Sequence, residues 1–193
     1  TPKKIYSYVH GDLHFENILV NPYDLSFKLV DPRGYLYCDI YYDLGKMNHS
    51  VNGKYDFIHE KRFKLSWEFK KKTIIDASLQ FEKSNALITY DAINNMIVDI
   101  YRKYTNDQNA LMKVLFNEAM HFSSDMPFHL ANDGKEEKAL AIYFTGVRIL
   151  NDFLSLYDEV FKRDIIQVIT KNEITKKKAF NEKSSKKLVR FYL

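Results

Sequence analysis

Residues 10–46 read HGDLHFENILVNPYDLSFKLVDPRGYLYCDIYYDLGK, and in this stretch short apolar runs alternate with turn-forming clusters that carry the acidic residues. Residues 5–9 are β-prone and stop at His10-Gly11-Asp12, where a glycine permits a sharp turn. Ile18-Leu19-Val20 closes on Asn21-Pro22-Tyr23-Asp24, and residues 27–30 close on Asp31-Pro32-Arg33-Gly34. This pattern predicts a β-hairpin whose two ends hold Asn17 and Asp31 close together. Asp12, Asn17, Asp31, Asp39 and Asp43 thus gather around turns. Oxygen donors arranged so suit Mg²⁺, which commonly takes one or two carboxylates plus water and substrate phosphates. A further carboxylate nearby can orient a hydroxyl and accept its proton. Together these are the parts a protein contributes to phosphoryl transfer.

Outward from this stretch the period of the sequence changes twice. Over 62–82, Phe63, Leu65, Trp67 and Phe69 alternate with Lys64, Ser66, Glu68 and Lys70, and Ile75, Ala77, Leu79 and Phe81 alternate with Asp76, Ser78 and Gln80. That is a half-buried second hairpin, with a charged amphipathic helix as the competing reading. From about residue 90, Ile93, Met96, Ile97, Ile100, Tyr101 and Tyr104 follow the spacing of a helix face. Residues 110–122 and 136–157 read as helices and 160–169 as a last one, with 123–129 a loop that Pro127 keeps non-helical. The segment 171–193 is a basic tail rich in lysine.

Composition limits the class. The chain has 193 residues, 46% of them hydrophobic and 15% aromatic, enough to build a real core and incompatible with disorder as the main state. Its 29 Lys and Arg against 25 Asp and Glu give a net charge of +4, a mild excess that does not itself imply nucleic acid. The one cysteine, Cys38, has no internal partner, so a reducing cytoplasm is the expected compartment. No uninterrupted apolar run approaches the roughly 20 residues of a membrane span.

The stretch 10–46 resembles the catalytic and metal-binding segments of aminoglycoside phosphotransferase and choline kinase-like enzymes, small-molecule kinases of the protein-kinase-like fold. Their pattern H-G-D-x-x-x-x-N is met by His10, Gly11, Asp12 and Asn17, followed after a hairpin by a metal-binding Asp, here Asp31, and then by Asp39 and Asp43. Four fixed residues at roughly one in twenty each arise by chance in a chain this long only about once in a thousand. The resemblance implies that Asp12 is the catalytic base, with His10 bracing its loop. It implies that Asn17 and Asp31 hold Mg²⁺ against ATP or another nucleoside triphosphate, with His14 near the transferring phosphate. Gly11 and Asp43 are then structural, Asp43 by hydrogen-bonding backbone near the loop. Substrate contacts are sought at Arg33, Asp39, His49 and His129, with a local ion pair the rival role for Arg33 and a plain solvent-facing position the rival for His49. Asn48 and Phe128 are further candidates to line an acceptor pocket.

The expected fold is therefore α+β and mainly α: one domain, a protein-kinase-like C-terminal lobe with a catalytic-loop hairpin, a second hairpin and a helical bundle. No glycine-rich phosphate loop occurs in the chain, which reads as a C-terminal lobe whose N-terminal lobe is a partner in cis. The expected function is an ATP-dependent phosphotransferase acting on a hydroxyl of a small molecule. A sugar, amino sugar, amino alcohol or cell-envelope or capsule precursor fits, and the isolated chain is expected to be weak or inactive. A non-catalytic binding or scaffold module with a relic site is the alternative, and a metal-dependent hydrolase would need more histidines near the carboxylates.

Overall fold

The turn clusters end the strands where the sequence places them. In the computed structural model, which describes residues 6–34, 38–71, 73–130 and 136–189, β1 (Tyr6–Ser7) pairs antiparallel with β4 (Cys38–Asp39). Between them β2 (Ile18–Val20) and β3 (Phe27–Leu29) form a hairpin with Ile18 opposite Leu29 and Val20 opposite Phe27. The N–H of Val30 donates to the carbonyl of Asn17 at 3.0 Å, so the hairpin's open end brings Asn17 and Asp31 together.

The alternating stretch is β5 (Phe63–Lys70) and β6 (Thr73–Phe81), a long antiparallel hairpin with Leu65 opposite Leu79 and Ser66 opposite Ser78. Its apolar face, with Phe63, Leu79 and Phe81, packs against a core of Ile58, Ala119, Phe122, Ala141, Ile142 and Ile149. Burying each large side chain there is worth about 1.5–3 kcal/mol. The helix reading of this stretch is excluded.

Two helices follow the motif stretch that its apolar pattern does not announce: α1 (Tyr41–Val51) and α2 (Tyr55–His59). Helix α1 buries Asp43, Lys46, Asn48, His49 and Ser50, so its inward face is polar. Helix α3 (Asn85–Thr105) starts where the Ser84 hydroxyl accepts the N–H of Leu87 and ends at Asn106 in the left-handed region. Helix α4 (Ala110–Leu130) lies against α1. Gly45 makes the approach possible, since a Cβ there would stand 2.5 Å from Asn117 Cβ and 2.9 Å from the Glu118 nitrogen. A second core cluster, Tyr41, Val51, Ile97, Tyr101, Ala110 and Val114, joins α1, α3 and α4.

The loop expected at 123–129 is instead the end of α4, which runs through Pro127 to Leu130. Pro127 stands in the last turn, where its missing N–H deprives only the Ser123 carbonyl of a partner, a small loss beside the packing of the helix. The helices expected at 136–157 and 160–169 are one, α5 (Glu136–Val189), which also takes in most of the basic tail. No glycine or proline interrupts the sequence after Gly146, so nothing local breaks it. By length and composition alone, Glu136–Arg163 passes as a membrane-crossing segment, a test that core helices also pass; 33% of its apolar window is buried inside the fold. The chain divides into two compact units, Thr1–Phe153 and Leu154–Leu193, and everything described below belongs to the first.

The architecture is thus α+β and mainly helical, with small antiparallel sheets.

Candidate functional site

The loop 10–14 is held from beneath by α1. The Asp43 carboxylate accepts the N–H of His10 at 2.6 Å through one oxygen and the N–H of Gly11 at 2.8 Å through the other. Gly11 has φ +82°, a left-handed conformation that a side chain would strain. The carbonyl of His10 accepts the N–H of Arg33 at 2.9 Å, tying the loop to the turn that carries Asp31. His10 therefore braces the loop through its backbone; both nitrogens of its ring are buried without a hydrogen-bond partner among the described residues.

Asn17 lies buried at the end of a short 3₁₀ turn (Phe15–Asn17), its amide nitrogen donating to the Asp12 carbonyl at 2.9 Å. The same nitrogen stands 3.2 Å from His14 Nε2, which makes that ring nitrogen the acceptor. With the amide so fixed, Asn17 presents its oxygen as the available donor atom to a cation. Asp31 sits next to Val30 in the left-handed region (φ +54°), and its exposed carboxylate makes no hydrogen bond or ion pair to a described residue. Among the described residues no three His, Cys, Asp or Glu side chains converge as a metal cage. One amide oxygen and one free carboxylate make a sparse oxygen set. It fits Mg²⁺ held largely by water and phosphate, and does not fit zinc.

Asp12 projects into a cleft of about 410 Å³ whose other lining residues include Glu16, Arg33, Lys46, Tyr55, Asp125 and His129. Arg33 Nε is 3.4 Å from Asp12 Oδ2, and His14 Nε2 is 3.9 Å from the same oxygen. Lys46 Nζ stands 3.4 Å from Asp12 Oδ1 and 3.2 Å from Asp125 Oδ2 on α4. The Tyr55 hydroxyl and His129 Nε2 are 3.2 Å apart, and burial pushes the phenol well up, so it keeps its proton and can donate. Phe128 forms an exposed apolar edge of the cleft.

His49 does not line the cleft but lies fully buried beneath it. Its ring packs at a tilt against Tyr55 (ring centroids 4.2 Å apart) and Phe122 (4.0 Å), with Nε2 3.3 Å from Asp125 Oδ2. Burial, and then the Lys46 charge, hold its pKa well below 6.5, so the imidazole is neutral. Asn48 is likewise internal: with Asn52 it donates to the buried Glu118, whose carboxyl burial pushes up to about 8.

Of the residues singled out in the sequence, Asp12, His14, Arg33, Phe128 and His129 share the cleft, with Asn17 and Asp31 at its hairpin edge. Asp39 stands apart, its carboxylate accepting the N–H of Tyr41 at 3.1 Å at the start of α1. Lys46, Tyr55 and Asp125 line the cleft and were not singled out. The signal for Lys46 was its place three residues after Asp43 on one helix face, visible only once 41–51 is read as a helix. No family model, no curated protein and no solved structure matches this chain.

Proposed function

We propose that this chain carries the catalytic residues of an ATP-dependent phosphotransferase that acts on a hydroxyl of a small molecule, with a protein-kinase-like C-terminal lobe as their scaffold. The observation that carries the reading is the convergence at the hairpin. Asn17 is bonded at once to the Asp12 carbonyl and, through its own carbonyl, to the residue before Asp31, while Arg33 ties that turn to His10. The H-G-D-x-x-x-x-N residues and the Asp after them are thus linked by one short set of hydrogen bonds, and that linkage supports the reading.

In this reading Asp12 is the base. As the acceptor oxygen bonds to the γ-phosphorus, the bond to the leaving nucleoside diphosphate breaks and the hydroxyl proton passes to an Asp12 carboxylate oxygen. Asn17 and Asp31 would hold Mg²⁺, which supplies charge neutralisation on the nucleotide phosphates. Asp43 keeps the loop in place without touching substrate. The cleft volume lies toward the small end of the roughly 300–1,000 Å³ typical of ligand sites, which suits a compact acceptor such as a sugar or amino alcohol.

The test is calorimetric titration of the chain with ATP, with and without Mg²⁺, beside Asp31→Ala. Mg²⁺-dependent binding that disappears in the variant is the expected result. Binding that is absent, or indifferent to both Mg²⁺ and Asp31, would sink the phosphotransferase reading in favour of a binding module.

A further inference from the structure

Lys46 is an ammonium in an unusual place. Its side chain is 5% exposed, and it faces two carboxylates of the cleft, Asp12 and Asp125, from 3.4 and 3.2 Å. Its charge also lies over the Tyr55 ring, 5.6 Å from the centroid. Desolvating an ammonium is costly, and an apolar side chain would serve packing as well or better. On the other side of the contact, Asp12 Oδ1 is buried and has no aligned hydrogen bond among the described residues. Lys46 is the cation beside it. Arg33 approaches only Oδ2, and its side chain is half-exposed.

We infer that Lys46 is a positioning residue for Asp12, an inference that rests on the phosphotransferase reading of this site. Its ammonium fixes Oδ1, which leaves Oδ2 to meet the acceptor hydroxyl. It also stands between Asp12 and Asp125 across the cleft, so that one ammonium holds both facing carboxylates in place. Asp43 and Lys46 lie three residues apart, on one face of α1. One helix therefore fixes both the backbone of the catalytic loop, through Asp43, and the side chain of its base, through Lys46. Asp125 reports to the same ammonium from α4, so the acceptor side of the cleft and the base are mechanically joined.

The experiment compares the full chain with Lys46→Met, Lys46→Arg and the charge-balanced pair Lys46→Met with Asp125→Asn, which guards against Lys46→Met alone failing to fold. Three quantities are read: Mg²⁺-dependent ATP affinity, phosphate release with water as acceptor, and the Asp12 side-chain ¹³Cγ resonance. Lys46→Met and the double variant should bind Mg·ATP within about twofold of the parent yet release phosphate at least about 30-fold more slowly, with Lys46→Arg restoring most of the rate. Where release is too slow to time, the Asp12 resonance decides. It should move in both methionine variants and stay near the parent's in Lys46→Arg. Unchanged release or an unmoved Asp12 resonance in the methionine variants overturns the inference, as does a rate that falls only together with ATP affinity. A parent chain with no Mg²⁺-dependent ATP binding overturns the underlying phosphotransferase reading, and that is seen before any variant is compared.

Discussion

Asp43→Asn is the sharpest single perturbation of this site. The two side chains have the same shape, so no cavity opens and no new volume is forced in. What changes is the chemistry of two atoms, each already committed: one oxygen accepts the His10 N–H at 2.6 Å and the other the Gly11 N–H at 2.8 Å. However the new amide turns, one of those N–H groups must face an NH₂. One hydrogen bond to a charged acceptor, worth roughly 1.5–3 kcal/mol, is lost, and the remaining one weakens to a neutral bond. The Gly11 contact is buried, so water cannot substitute without moving the loop. The sum is a destabilisation of about 3 kcal/mol, in urea unfolding at pH 7. If the loop yields first, the loss concentrates there, and the Gly11 amide exchanges with solvent at least tenfold faster while α3 and α4 stay protected. A loss under about 1 kcal/mol, with Gly11 exchange unchanged, would refute the claim that α1 holds the loop through this carboxylate.

Two further substitutions test the α1–α4 seam on which the site stands. Glu118 is fully buried with its pKa raised to about 8, against 4.5 in the unfolded chain, so the folded state holds the proton more tightly. Its contribution to stability therefore falls as pH climbs from about 4.5 to 8, by up to about 1.4 kcal/mol per unit. Glu118→Gln removes this titration, and its advantage over the parent should grow across that window to about 3 kcal/mol at pH 7, read from paired urea curves at several pH values. Gly45→Ala should destabilise by about 1–3 kcal/mol despite a helix-propensity gain of roughly 1 kcal/mol. Its methyl would stand 2.5 Å from Asn117 Cβ, and a thermal melt no lower than the parent's would show that α4 can give way.

The hairpins were legible because their signals are local: turn clusters bound β2 and β3, and strict alternation marks β5 and β6. Helix α1 was not, for a physical reason. Its inward face carries Asp43, Lys46, Asn48, His49 and Ser50, so the apolar periodicity that betrays an amphipathic helix is replaced by buried polar groups. The same cause hid half the site. Asp12, Asn17 and Asp31 stand within one short stretch and could be read from spacing. Lys46 and Asp125 meet only because α1 packs on α4, across 79 residues of sequence. Pro127 added to the concealment, since a proline near a Ser-Ser-Asp cluster suggests a loop, whereas tertiary packing carries α4 past it.

The two sides of the cleft also differ in how early they can assemble. The clamp of Asp43 on Gly11 closes a span of 32 residues, while the Lys46–Asp125 contact spans 79. In loop-closure entropy the two differ by only about 0.8 kcal/mol, but the shorter one needs little beyond the strands and α1, whereas the longer also needs α4, which lies beyond β5, β6 and α3 in the chain. During folding, then, the turn with Asn17 and Asp31 can be built around Asp12 while the cleft still lacks its α4 wall. Asp12 meets Lys46, Arg33 and His14 within the early stretch, and α4 adds only the wall with Asp125 and His129, so a chain caught before α4 docks would hold the motif intact and the cleft unmade.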